Sequence, residues 1–272
     1  MILPSPTWFV GCGNMAGAMI EGWRSAGVDF SMATAIRPSG SPVEGVRTVK
    51  SLKDAGASPR MIVLGFKPQK LDEVVPDLQS WVTSKTIIVS LLAGVEAESL
   101  RARFRKGLIV RAMPNLPVSV RRGVIALHSA DDLDEATLKL LSDLFSALGF
   151  AMWAESENAL SAIGGVAGSG PAYVARFVDA LAAAGAQQGL PEELSRTIAL
   201  ETVFGTGWMA ASSHEAMDEL ARRVASPRGT TEAGLQVLDR DDSLKDLVAV
   251  AIDAARRRGA ELAAEARGEQ VA

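Results

Sequence analysis

The sequence of 272 residues has one cysteine, Cys12, and two histidines, His128 and His214. A single thiol closes no intramolecular disulfide and excludes a multi-cysteine zinc site. Two histidines far apart in the chain argue against a histidine-rich metal centre, so no metal is expected. Aromatic residues are scarce at 5%, with Tyr173 the one tyrosine. No stretch reaches the roughly 18 uninterrupted apolar residues of a membrane-spanning helix, so no membrane partner is expected. Residues 1–10 have neither a basic region nor a long apolar core, so they do not read as a signal peptide, and the expected compartment is the cytoplasm. Basic excess is absent too: 28 Lys and Arg stand against 32 Asp and Glu, for a net charge of −4. A nucleic-acid binder normally shows the opposite balance. With little His, Cys or metal equipment, the chemistry is expected to come from an imported cofactor.

What is present is ordinary globular material, 48% hydrophobic and 22% charged, in a length suited to one large or two medium domains. Short apolar runs in the first half read as strands at residues 8–10, 34–36, 61–64, 86–90, 108–111 and 123–127. Helical patterns separate several of them, at residues 15–26, 72–81 and 96–104. Strands apolar on both faces and alternating with helices predict a doubly wound parallel sheet. After about Trp153 the texture turns alanine-rich and helical, over residues 172–188, 192–211, 215–224 and 243–264. The expected division is a nucleotide-binding domain over 1–156 and a helical domain over 157–272. Ser212 with Glu215 resembles a capping box, which places His214 at an exposed helix start. The charged tail from Glu265 is expected to fray.

Gly11-Cys12-Gly13-Asn14-Met15-Ala16 follows the first strand and opens the first helix, fitting a G-x-G-x-x-[G/A] dinucleotide fingerprint. Gly11 permits the tight turn, Gly13 lets a pyrophosphate approach the backbone, and Ala16 allows close helix–strand packing. The phosphates then meet the free N–H groups of the helix start at Asn14 and Met15. Cys12 in this turn is a candidate exposed thiol that bound cofactor would cover. The second strand ends Ile36-Arg37-Pro38-Ser39, where an NAD-binding protein usually carries Asp or Glu. Arg37 can pair with a ribose 2′-phosphate and Ser39 can donate a hydrogen bond to it, so NADP(H) is the expected cofactor.

Further motifs follow in order: Gly65-Phe66-Lys67-Pro68-Gln69, Ser90-Leu91-Leu92-Ala93-Gly94, Arg111-Ala112-Met113-Pro114-Asn115-Leu116-Pro117, Gly168-Ser169-Gly170-Pro171-Ala172-Tyr173, and residues 226–235 from Ser226-Pro227-Arg228-Gly229-Thr230-Thr231. With the glycine turn, and over nearly the whole length, they resemble the pyrroline-5-carboxylate reductase family. The last two motifs are the most restrictive. The resemblance implies a Rossmann-like sheet followed by an all-α dimerisation domain. It implies hydride transfer from NAD(P)H to the C=N carbon of 1-pyrroline-5-carboxylate, giving L-proline, the last step of proline biosynthesis. It also implies a homodimer or a larger ring of dimers.

The resemblance assigns roles residue by residue. Ser226, Gly229, Thr230 and Thr231 form the substrate loop, with Thr231 hydrogen-bonding the ring nitrogen as the catalytic residue. The alternative is that Thr230 or Thr231 simply caps the following helix. Glu157 corresponds to a glutamate that contacts substrate, although glutamates also favour helix starts for dipole reasons. Lys67 and Pro68 flank the cofactor's ribose and phosphates. Ala93, Gly94, Met113, Pro114 and Asn115 line the nicotinamide side through their backbones. Gly168-Ser169-Gly170-Pro171 shapes a hinge between the domains. Two positions depart from the family pattern: Leu116 stands where threonine is usual, and Arg228 where a second glycine is usual. Other readings are a 3-hydroxyacid-type reductase, a reductase of another cyclic imine, and a non-catalytic NADP-binding sensor. The first needs a lysine in the helical half, where only Lys245 stands; the last has no use for residues 226–231.

Overall fold

The computed structural model describes residues 2–267. Its strands are β1 (Thr7–Val10), β2 (Ala33–Ile36), β3 (Arg47–Val49), β4 (Met61–Leu64), β5 (Ile87–Ser90), β6 (Leu108–Pro114), β7 (Gly123–His128) and β8 (Gly149–Trp153). They form an 8-stranded sheet in the order β3-β2-β1-β4-β5-β6-β7-β8. Around it lie α1 (Asn14–Ser25), α2 (Leu71–Leu78), α3 (Ala97–Arg103), α4 (Glu135–Ser146) and α5 (Glu157–Ala167). The Rossmann-like, parallel-dominated sheet followed by helices is the architecture the strand–helix alternation predicts.

β1 shows why the sheet is buried on both faces. Phe9 enters one core with Met19 and Trp23 of α1 and Phe145 of α4. Trp8 and Val10 point the other way, into a core with Val75 and Leu78 of α2 and Leu100 of α3. Alternate side chains of a strand serve opposite layers, so both must be apolar. The Trp23 indole donates to the carbonyl of Leu144 at 2.7 Å, tying α1 to α4.

The sheet is not wholly parallel. β7 runs antiparallel to β6, and β8 runs parallel to β7. The cause is connection length: after Pro114 the chain makes a short 3-10 segment, Leu116–Val120, whereas a parallel return needs a crossover of about a dozen or more residues. β3 and β8, which the periodicity does not single out, are the two edge strands.

The remaining helices are α6 (Gly170–Gln187), α7 (Glu192–Ser213), α8 (Met217–Val224), α9 (Thr230–Leu238) and α10 (Ser243–Arg267). Among the described residues, contacts group those up to Ser169 with those from Ala255 as one compact unit, and Gly170–Ala254 as another. The expected division between residues 156 and 157 therefore lies inside the first unit, at the start of α5. The break at Ser169/Gly170 falls within the Gly168-Ser169-Gly170-Pro171 motif. His214 is exposed but ends α7 in a left-handed conformation (φ 55°), and α8 starts only at Met217 behind Ala216. The expected Ser212–Glu215 capping box does not form; Glu215 N–H donates to Ser213 Oγ instead, at 3.3 Å. α10 runs to Arg267, past the residue where fraying is expected, and the tail from 268 lies outside the described residues.

Candidate active site

In the first unit, the turn after β1 is built from mutually fitted small residues. Gly11 has φ +73°, and a side chain there would meet Phe66 Cβ at 2.8 Å. A Cβ on Gly65 would meet Gly11 O at 2.6 Å and Ala16 Cβ at 3.1 Å. Gly11, Gly65 and Ala16 are therefore bound to one another by space as well as by sequence. Gly13 differs: its nearest neighbour would be Gly65 O at 3.9 Å, so one side of it is open. Gly13 is also the N-cap of α1, with no side-chain cap and no acidic residue in the first turn. The N–H groups of Asn14, Met15 and Ala16 thus reach the helix end without intrahelical partners. An uncapped helix start behind an open glycine fits a cofactor pyrophosphate.

Cys12 is buried at 7% exposure, not exposed as its place in the turn suggests. Burial pushes its thiol up, against the opposing effect of nearby Arg37. A thiol held protonated is a poor nucleophile.

At the end of β2 the Arg37 N–H donates to Val49 O at 2.9 Å, which fixes the loop beside β3. Arg37 Nη1 donates to the carbonyl of Ser41 at 3.0 Å. Ser39 Oγ donates to Ser41 Oγ at 3.0 Å and accepts from Ser41 N–H at 3.2 Å. Beside this loop opens a cavity of about 760 Å³, whose lining includes Gly11, Ile36, Pro38, Leu52 and Phe66. It adjoins the glycine turn on the adenosine side expected of a dinucleotide. Lys67 is exposed and caps the 3-10 turn Pro68–Lys70, with Pro68 at its first position.

After β5, Gly94 combines φ +75° with close contact to α10: an added Cβ would meet Leu262 and Ala263 backbone at 3.0 Å. At the end of β6, Met113 packs on Gly164 of α5. Asn115 is buried and bonded at both ends of its side chain: its amide donates to Ala167 O at 3.0 Å and its oxygen accepts from Val124 N–H at 2.8 Å. The carboxyl ends of β1, β4, β5 and β6 thus bring together Gly11, Gly13, Asn14, Met15, Lys67, Pro68, Ala93, Gly94, Met113, Pro114 and Asn115, where an open α/β sheet places its ligand.

Glu157 also belongs to this unit. It follows Ser156, whose hydroxyl caps α5 by accepting from Ala159 N–H at 3.1 Å. One Glu157 oxygen accepts from Ala97 N–H at the start of α3, at 2.7 Å; the other pairs with Arg111 Nη1. Arg111 is missed by reading β6 as an apolar run, although a guanidinium within Leu108–Pro114 must find an acid when buried. A carboxylate accepts about four hydrogen bonds in all, so Glu157 keeps acceptor capacity beyond these two partners.

In the second unit, Gly229 N–H donates to Ser226 O at 2.9 Å, closing a turn that leads into α9. A side chain on Gly229 would collide with Ser226 Oγ. Gly229 is the N-cap and offers no side chain; Thr230 and Thr231 are the first helical residues and both are exposed. The reading of either threonine as the cap therefore does not hold. Glu232 reaches back to accept from Arg228 N–H at 2.6 Å, and Arg228 sits at φ 59°, the left-handed conformation that glycine takes most cheaply.

Comparison with known proteins gives two family matches. Residues 157–262 match the model described as pyrroline-5-carboxylate reductase dimerisation. Residues 8–94 match the one described as NADP oxidoreductase, coenzyme F420-dependent. The chain is 36% identical to pyrroline-5-carboxylate reductase of Pseudomonas aeruginosa over 94% of its length and 96% of the relative's. It is 30% identical to that of Pisum sativum, over 92% and 93%. Among solved structures, pyrroline carboxylate reductase of Plasmodium falciparum with NADP bound superposes at a TM-score of 0.87, with 25% identity and coverage of 97% and 100%. That of Coxiella burnetii superposes at 0.86, with 31% identity and coverage of 96% and 99%.

Proposed function

This chain belongs to the pyrroline-5-carboxylate reductase family, and from that premise we propose that it reduces 1-pyrroline-5-carboxylate to L-proline with NADPH, closing proline biosynthesis in the cytoplasm. The observation that carries the proposal is the loop Ser226–Thr231, a turn ending in a helix start whose cap has no side chain and whose threonine hydroxyls are exposed. Free N–H groups at a helix start suit the substrate carboxylate. Ser226, Gly229 and Thr230 are assigned to that carboxylate, and Thr231 to the ring nitrogen. Glu157 is assigned to substrate through the acceptor capacity that Arg111 and Ala97 leave it.

The ends of β1, β4, β5 and β6 would hold NADPH, which when bound would supply the hydride for the C=N carbon. The chain's share is position and charge. Gly11, Gly13, Asn14 and Met15 seat the pyrophosphate; Arg37 and Ser39 receive the 2′-phosphate. Lys67 and Pro68 flank the ribose, and Ala93, Gly94, Met113, Pro114 and Asn115 wall the nicotinamide. The imine nitrogen is held protonated, donating to the Thr231 hydroxyl oxygen, so hydride addition yields the neutral ring amine. Purified protein is expected to oxidise NADPH when 1-pyrroline-5-carboxylate is added and to form L-proline in equal amount. Cofactor binding without that turnover overturns the proposal.

The same reading makes the protein a homodimer, alone or within a larger homo-oligomer. Val174 and Phe177 of α6 and Ile198, Phe204 and Trp208 of α7 are exposed, at 45–64%. Soluble monomers rarely leave such apolar faces to water. Phe204→Asp would place a carboxylate in both copies of the interface and remove apolar burial from each. It is expected to weaken the dimer about a hundredfold or more, seen as a monomer by light scattering at micromolar concentration. Unchanged mass would place the interface elsewhere.

A further inference from the structure

We propose that Lys50 is a second cation for the cofactor's 2′-phosphate, acting beside Arg37 and setting the preference for NADPH over NADH. The inference rests on the cofactor reading above and concerns a residue that no motif singles out.

The backbone places the two residues side by side. β2 and β3 are parallel, with Ile36 opposite Val49, and the Arg37 N–H donates to Val49 O. Lys50, the next residue, therefore leaves the sheet next to Arg37 and on the same edge. Its stem then crosses the loop that carries Arg37 and Ser39. A Cβ built on Gly40 would meet Lys50 Cε at 2.6 Å, Cγ at 3.4 Å and Cδ at 3.6 Å. Gly40 closes the Arg37 turn through Gly40 N–H to Arg37 O at 2.8 Å and has φ +69°. A residue with a side chain at 40 would thus be strained in backbone and would also push the lysine away. The loop thus leaves room for the Lys50 stem to run over Gly40, within the turn that Arg37 opens.

The charge balance points the same way. Arg24, Arg101, Arg103 and Arg111 each have a carboxylate partner. Among the described residues Arg37 bonds only carbonyls, those of Ser41 and Pro42, and neither it nor Lys50 forms an ion pair. Lys50 lines the cavity of about 760 Å³ together with Lys53 and Lys70; Glu73 and Asp77 line it as well. Adjacent cations lacking an acid gain most from a dianionic ligand, and a phosphate offers acceptors to both. Of the two nicotinamide cofactors only NADPH carries that group on the adenosine side.

The test is binding of 2′,5′-ADP and of 5′-AMP by calorimetry, with NADPH and NADH titrated by fluorescence. Lys50→Met keeps the stem over Gly40 and removes the charge. It is expected to weaken 2′,5′-ADP and NADPH about tenfold, the size of one lost charge-assisted bond, and to leave 5′-AMP and NADH within about twofold. Lys50→Arg is expected to restore the preference. Equal loss for both pairs of ligands, or no loss for either, overturns the role of Lys50. If the unaltered chain binds 2′,5′-ADP no better than 5′-AMP, the NADPH reading falls with it. If it discriminates and Lys50→Met still discriminates equally, only the Lys50 proposal falls.

Discussion

Thr231→Ala is expected to lower kcat about a hundredfold, the upper end of what one hydrogen bond to a charged group is worth, while the NADPH dissociation constant changes less than about twofold. The contrast with other threonines in the same unit supports this. Thr197, Thr202 and Thr206 of α7 each turn their hydroxyl back to the carbonyl four residues earlier, at 3.0, 2.7 and 2.7 Å. That is the usual fate of a mid-helix threonine. Thr231 is the second residue of α9, so the residue four before it, Pro227, lies in the loop and not in the helix. Among the described residues its hydroxyl makes no hydrogen bond, and the cap position is already held by Gly229. A β-branched residue in a first turn, with an uncommitted hydroxyl, is poorly explained by helix stability alone. Thr231→Ser, which retains the oxygen, is expected to keep most of the rate. Steady-state kinetics beside an NADPH titration separate the outcomes. Loss of cofactor affinity in parallel with kcat, or no loss of either, would remove Thr231 from the reaction.

The parts of this molecule that were legible beforehand share a physical trait: their signal is local. The glycine turn is legible because Gly11, Gly13 and Ala16 answer to steric demands within one strand–turn–helix unit, and Gly65 closes it from the neighbouring strand. The long helices of the second half are legible because their apolar period repeats over many residues. α7, expected over 192–211, spans Glu192–Ser213. β3 and β8 are illegible for the opposite reason. Edge strands are apolar on fewer sides, and Arg47–Val49 and Gly149–Trp153 are mostly half-buried, so neither makes a run. The direction of β7 is decided by a loop length and not by the residues of the strand. In the site, Asn115 reads as a backbone wall, but its side chain bridges β7 and α5. Cys12 reads as exposed because the motif gives no sight of what packs against the turn. Lys50 and the Glu157 pairing of Arg111 are not legible for one reason: each lies beside a residue distant in sequence, and a single cation in a strand or at its end carries no period.

Arg111→Met is expected to lower the Tm by roughly 6–12 °C, the shift that corresponds to about 3 kcal/mol in a chain of this size. The ion pair with Glu157 joins three elements: Arg111 lies in β6, Glu157 begins α5, and the second Glu157 oxygen holds Ala97 N–H at the start of α3. The Arg111 side chain is 8% exposed and Glu157 28%, so the arginine is the desolvated partner. Its Nε makes no hydrogen bond, which shows that the guanidinium is buried at a cost only the carboxylate offsets. Removing the cation while Glu157 stays leaves a carboxylate with one N–H donor in a half-buried site. That is worse than losing both charges. The Arg111→Met/Glu157→Gln double variant is therefore expected to regain at least half of the lost Tm, because the neutral amide oxygen can still accept from Ala97. Thermal unfolding of the two single variants and the double variant gives the coupling directly. A double variant no more stable than Arg111→Met would mean that the aliphatic packing of the arginine, and not its charge, holds β6 to α5. Coupling of the expected sign makes this pair the support behind the Ala93–Gly94 turn, since α3 starts three residues beyond Gly94, and the geometry of that turn then depends on a charge in β6.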